Sequence, residues 1–214
     1  MKPHFHINDL TFLIRPESTD ISIIKEVIER NTYTISSIDN IPDMTIKKGN
    51  TVVDIGAHIG SFSILAASKG AMVYSFEPVQ ESFDLLSENI KLNRLPNITA
   101  FHKAVRKEPG VETIYIRDRN FGGSGFYNDP GPLQEEVECT TLPRTHTIDF
   151  LKLDCEDSEL EILEYNIDFF PYIDKIAVEW VGQERRDAIK ALLGDYKLYE
   201  KGNEVMGIIL AKRK

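Results

Sequence analysis

The alternation of apolar and polar positions divides the chain into strands and helices. Val52, Val53 and Ile55 form a short apolar run interrupted only by Asp54. Gly56 and Gly60 bracket a tight turn, and Phe62, Leu65 and Ala66 then lie on one face until Lys69-Gly70. This predicts a buried strand, a turn and a crossover helix. A second strand is predicted over 71–76, ending at Glu77-Pro78. Val79, Phe83, Leu86 and Ile90 recur at helical spacing up to 93–96, and 98–102 reads as a third strand. Strand, helix, strand, helix, strand implies a parallel sheet with right-handed crossovers.

Upstream, residues 4–14 read as a strand or hairpin around Asn8-Asp9. Asp20 reads as the N-cap of a helix with Ile21, Ile24 and Ile28 on one face, and 41–50 as a connecting loop. Downstream, the segments 111–116 and 137–141 alternate as an antiparallel pair around a long Gly-, Asn-, Asp- and Pro-rich stretch, 117–134, read as an insertion near the site. A strand over 149–154 ends at Asp154, a helix carries Leu160 and Leu163, and a strand over 175–180 ends at Glu179-Trp180. Arg185, Ile189 and Leu192 suit a further helix, and 196–200 and 205–211 form a closing hairpin. The expected fold is Rossmann-like α/β, a mostly parallel, doubly wound sheet with a C-terminal antiparallel hairpin. Residues 1–50 are an appendage to a single unit over 51–214.

In open α/β sheets, ligands bind beyond the carboxyl ends of the strands. Four predicted strands end at or near acids: Asp54, Glu77, Asp154 and Glu179. A carboxylate repels phosphate, so Asp54 calls for a ligand with a positive or hydroxyl-donating group. S-adenosylmethionine (SAM), with its ammonium, sulfonium and ribose, meets that demand better than a dinucleotide. His58 also breaks the spacing of the dinucleotide fingerprint. Glycine at 56 and 60 permits close backbone approach, and the helix start at Gly60-Ser61 offers free N–H groups; a plain βα turn needs the same glycines. Glu77 lies where an acid binds ribose hydroxyls, or else caps the next helix. Ala104 and Val105 suit an adenine wall or loop packing. Asp154 is the candidate base for activating a hydroxyl, with helix capping and contact to a ligand ammonium as alternatives. Glu156, Asp157 and Glu159 read as a solvated acidic helix start rather than a metal site. His58 reads as a ligand contact or a structural donor; His102 and His146 show no distinctive pattern.

Composition narrows this picture. Thirty-four acidic against 25 basic residues give a net charge of -9, which disfavours a broad nucleic-acid face. Cys139 and Cys155 lack metal or disulfide spacing and read as reduced, buried thiols. No segment has the apolar length of a membrane span, and no secretory signal pattern is present, so the cytoplasm is the expected location.

The residues Val53-Asp54-Ile55-Gly56-Ala57-His58-Ile59-Gly60, Phe76-Glu77-Pro78 with Leu86, Asn89 and Leu92-Asn93, Thr140-Thr141-Leu142, and Asp149 to Glu156 together resemble the FkbM family of SAM-dependent methyltransferases. The likeness runs from about residue 51 to 180. It implies a class I methyltransferase fold, SAM as cofactor, and O-methylation of a sugar or other small hydroxylated metabolite. It places Asp54 to Gly60 at the methionine-binding turn, Glu77 at the ribose and Asp154 to Glu156 next to the transferred methyl. Taken with the residue reading above, the cofactor set is Asp54, Ile55, Gly56, Ala57, His58, Gly60, Ser61, Glu77, Pro78, Ala104 and Val105, the catalytic residue is Asp154, and the acceptor set is Ser124, Glu156 and Glu179. His58 stands where the family commonly has Asn, and Asp157-Ser158 where a Gly-small pair is usual. An RNA methyltransferase, to some of which 89–93 is similar, and a SAM-binding protein without turnover are the competing readings. No metal, nucleic acid or membrane partner is expected.

Overall fold

The computed structural model describes residues 3–35, 41–116, 124–126, 133–144, 147–156 and 158–214. Of the predicted insertion, 117–123 and 127–132 lie outside these residues, as do His146 and Asp157. Strands β1 (His4–Ile7) and β2 (Leu10–Leu13) pair as the expected hairpin, with Asn8 at φ 51° in its turn. Helix α1 (Asp20–Ile28) follows. Asp20 is its first residue rather than its cap, and Ile21 is exposed while Ile24, Val27 and Ile28 are buried. The Asp20 side chain turns back to Arg15 instead of toward the helix amides.

The core continues with β3 (Thr51–Ile55), α2 (Ser61–Ser68), β4 (Met72–Phe76), α3 (Gln80–Leu92) and β5 (Ile98–Phe101). After β6 (Ala104–Val105), β7 (Gly110–Ile116) and β8 (Leu133–Thr140) come β9 (Phe150–Leu153), α4 (Glu159–Tyr165), β10 (Lys175–Val181), α5 (Gln183–Leu192), β11 (Tyr196–Gly202) and β12 (Met206–Arg213). The main sheet runs β11-β12-β10-β9-β3-β4-β5; β12 is antiparallel to both neighbours and the remaining pairs are parallel. The chain steps from β3 outward to β5 and returns at β9. The switch point therefore lies between β3 and β9, where such sheets bind ligands.

Four features depart from the expected pattern. Helix α2 is buried from Ser61 through Ala67, not along one stripe, because the N-terminal segment covers its outer face. Residues 104–105 and the arms of the insertion build a separate sheet, β6-β8-β7, against which Gly125 folds back through paired bonds with Tyr115. A 3₁₀ turn at Ile167–Tyr172, not foreseen, joins α4 to β10. Cys139 is buried, but Cys155 is only partly so.

The N-terminal hairpin is locked onto α3 by two asparagines one helical turn apart. Asn89 accepts from Leu13 N at 2.6 Å and donates to Leu13 O and Ile59 O; Asn93 accepts from Thr11 N and donates to Thr11 O. Their amides complete the β2 backbone as a neighbouring strand would. Phe12, Ile24, Val27 and Ile28 share one core cluster with Val52, Phe62 and Phe150. Among the described residues no helix is long and apolar enough to cross a membrane. Because Phe12 is fully buried, Phe12→Ala should destabilise the whole chain by about 3–5 kcal/mol in one cooperative urea transition. An early, separate transition of the N-terminal segment would contradict this.

Candidate active site

The carboxyl ends of β3, β4, β9 and β10 open into a cavity of about 420 Å³, within the range of small-molecule sites. Of the residues singled out in the sequence, Ile55, Gly56, His58, Glu77, Pro78, Ala104, Val105, Ser124, Asp154, Glu156 and Glu179 line it. Asp54, Ala57, Gly60 and Ser61 lie behind the lining. The cavity thus unites both sides of the switch point with the small sheet.

A residue not singled out in the sequence, Lys152, stands against Asp54. The register of β3 and β9 sets Lys152 directly opposite Asp54, so both side chains share one face. The Lys152 ammonium lies 3.0 Å from Asp54 Oδ1, donates to Gly56 O at 2.9 Å, and stands 3.7 Å from Asp154 Oδ2. Ser63 donates to Asp54 Oδ2 at 2.5 Å. Asp54 is fully buried; Oδ2 accepts from Ser63, while Oδ1 faces the Lys152 ammonium and has no hydrogen-bond partner among the described residues. Burial opposes the charge on Lys152, yet the fields of Asp54 and Asp154 outweigh it and hold the ammonium firmly protonated.

Asp154 carries the exposed end of this arrangement. Burial would raise its carboxyl, but Lys152 and hydrogen bonds from Glu179 and Tyr33 hold it below the usual carboxylate range. Glu179 goes the other way, pushed up to about 10 by burial and by the charge of Asp154. Two carboxyls side by side cannot both ionise cheaply; the pair keeps a proton on Glu179 and a negative charge on Asp154 at neutral pH.

The glycines of the turn serve packing. A Cβ on Gly56 would sit 1.8 Å from the Asp154 carbonyl oxygen, and one on Gly60 would sit 2.6 Å from Leu86 Cδ1. Both have positive φ, and so does His58 at 53°. Glu77 ties the turn to the next helix: it accepts from His58 N at 2.7 Å and from Val79 N at 2.9 Å. Burial pushes its carboxyl up to about 7. Arg15 Nη2, itself held by Asp20, donates to His58 Nε2 at 2.5 Å. Burial and the Arg15 charge lower the imidazole to about 4, so His58 is neutral at physiological pH. Glu159, read in the sequence as a solvated helix start, is buried and accepts from Cys155 N at 2.6 Å. Ser158 is likewise buried and accepts from Arg106.

The N-terminal segment forms one wall. Thr19, Ser22, Ile23, Glu26 and Val27 of α1 and its approach face the cavity, as do Thr32 and Tyr33. Tyr33 donates to Asp154 Oδ2 at 2.6 Å across 121 positions of sequence. No local motif announces such a contact. Lys152 did leave a signal, a lysine within an otherwise apolar strand.

The lining sets Glu26, Glu77, Asp154, Glu156 and Glu179 against Lys103, which pairs with Glu138. This donor set suits a ligand carrying positive charge and hydroxyl groups, as SAM does. Among the described residues no cluster of metal-binding side chains occurs.

Comparison with known proteins agrees with this chemistry. The FkbM methyltransferase domain matches residues 54–189, and the chain belongs to that family. Its fold is the class I methyltransferase fold and its cofactor is SAM. The chain is 28% identical to the methyltransferase sdnD of Sordaria araneosa, over 81% of this chain and 80% of that protein. A stretch of 51 residues is 41% identical to a putative ribosomal RNA large subunit methyltransferase of Methanocaldococcus jannaschii, covering 24% of this chain and 13% of that one. M. jannaschii TYW2 in complex with AdoMet shares the fold at a TM-score of 0.52 and 16% identity, covering 100% of this chain and 87% of that one. For Trm5b from Pyrococcus abyssi the values are 0.53 and 16%, with 99% and 55% covered.

The elevated Glu77 carboxyl has a consequence for stability. On unfolding Glu77 reverts to its ordinary 4.5, so between that value and about 7 the unfolded chain binds fewer protons. Its stabilising contribution is whole below about 4.5 and is lost as pH rises through about 7. Glu159, also at about 7, acts in the same direction, and His58 acts oppositely as pH falls from 6.5 through about 4. Urea unfolding of Glu77→Gln should therefore show a variant that gains on the unaltered chain between about pH 5 and about pH 8. A constant difference across that range would contradict the buried, proton-binding Glu77.

Proposed function

We propose that this methyltransferase moves the methyl group of SAM onto a hydroxyl oxygen of a small metabolite, a sugar being the acceptor class to which the family resemblance points. The observation that carries the reading is the ionised Asp154 carboxylate on the cavity wall, kept charged by Lys152. An alcohol holds its proton tightly and is a weak nucleophile until a base orients or accepts that proton. SAM, when bound, supplies a methyl group activated by a positive sulfonium. Glu77 and the wall of Pro78, Ala104 and Val105 would hold its adenosine. Asp154 would take the acceptor's O–H. Glu156, Glu179, Ser124 and the α1 wall would shape the acceptor's place. Placement of the reacting atoms supplies the remaining acceleration.

The charge of the lining also supports a small molecule. The acidic lining repels a polyphosphate backbone. Asn89 and Asn93, the residues that suggested RNA, are occupied in holding the hairpin. The relative named a putative ribosomal RNA large subunit methyltransferase keeps that class in the test. Methyl-tritiated SAM incubated with the chain and either a protein-free, low-molecular-mass cell extract or total RNA should label the extract. Labelled RNA, or no label in either, would overturn the reading. In the extract assay Asp154→Asn should slow transfer between about 100- and 10,000-fold, with the affinity for S-adenosylhomocysteine unchanged by calorimetry. Full activity in that variant would remove Asp154 from catalysis.

A further inference from the structure

We propose that Tyr33, supplied by the segment ahead of the main sheet, is the positioning residue of the transfer. Its phenol holds Asp154 Oδ2 and so orients the carboxylate that receives the acceptor's hydroxyl, a role that rests on the reading of Asp154 as the acceptor's base. The O–H to Oδ2 distance is 2.6 Å, short for a neutral pair and normal for a donor to a charged oxygen. The ring is buried and packed. It meets Phe62 edge-on at 5.5 Å and 78°, and the Lys152 ammonium lies 5.4 Å from its centroid. Phe62 in turn packs on Phe150, the first residue of β9, which also carries Lys152 and leads to Asp154. One rigid stack therefore fixes donor and carboxylate together.

The phenol acts only as a donor. Burial and the charge of Asp154 raise it well above its ordinary 10, so it stays protonated throughout the working range. The other groups facing Asp154 are Lys152 of β9, Glu179 of β10, His58 of the glycine turn, and Cys155 and Glu159 on its C-terminal side. Lys152 and Tyr33 both lie on the Oδ2 side. In the transfer the acceptor oxygen forms a bond to the methyl carbon, the carbon–sulfur bond breaks to leave a neutral thioether, and the acceptor's proton passes to the Asp154 carboxylate. A hydrogen bond to the charged form lowers that carboxyl's proton affinity. Removing the phenol should raise it and let the carboxylate turn.

The test uses the full chain with S-adenosylhomocysteine bound and its aspartates labelled with ¹³C at the carboxyl. Asp154 is then titrated by NMR without any acceptor, its signal assigned by Asp154→Asn. Tyr33→Phe keeps the ring contacts. Its Asp154 midpoint should rise by roughly one pH unit, and label transfer into the low-molecular-mass extract should fall by roughly 10- to 100-fold with cofactor affinity unchanged. Fluorotyrosine at position 33, a stronger donor, should move the midpoint down; it carries the test if Tyr33→Phe does not fold. A midpoint that moves with neither substitution overturns the proposal. If Asp154→Asn is slow while Tyr33→Phe is fully active, Tyr33 alone loses its role. If Asp154→Asn is fully active, the reading of Asp154 falls and the Tyr33 proposal falls with it.

Discussion

A single buried ammonium organises the site. Lys152 stands in the middle of the sheet, opposite Asp54 on β3 and two residues before Asp154 on β9. A charge in such a place is tolerable only when paired and hydrogen-bonded, and Lys152 is held by two carboxylates and the Gly56 carbonyl. The same contact fixes where the two strand ends meet. Gly56 is pressed so closely on the Asp154 carbonyl that no side chain fits between them. The two acids consequently divide: Asp54 is sealed beneath the turn, and Asp154 is left at the cavity, charged.

The segment before β3 completes what the sheet begins. Asn89 and Asn93 hold its hairpin, Arg15 holds His58, and Tyr33 holds Asp154. The glycine turn and Asp154 are thereby both braced by residues 15–33. This explains why α2, whose outer face that segment covers, is buried on every side. It also gives the unusual His58 a physical setting: a neutral imidazole that accepts from an arginine while its backbone N–H holds Glu77.

The order of strands and helices was legible because periodicity reports burial, and the alternation from β3 to β5, the return at β9 and the closing hairpin all carry it strongly. The acids at strand ends were legible as a group, but not which of them faces the cavity. That distinction depends on register between β3 and β9, which no local pattern states. Gly56 and Gly60 were read either as room for a ligand or as a plain βα turn, and their close neighbours, Asp154 and Leu86, show the packing that such a turn requires. The reach of Tyr33 and Arg15 is a long-range packing result. Asp20, chosen as a helix cap from its position, went instead to the arginine five residues earlier.

Lys152 imposes a division of labour on the two acids, and Asp54→Asn is the variant that exposes it. Urea unfolding and S-adenosylhomocysteine calorimetry on that one variant separate the alternatives. A sealed partner of Lys152 predicts a stability loss of about 3–5 kcal/mol with cofactor affinity retained by the folded protein. Unchanged stability with cofactor affinity lost would contradict that division and return Asp54 to the ligand.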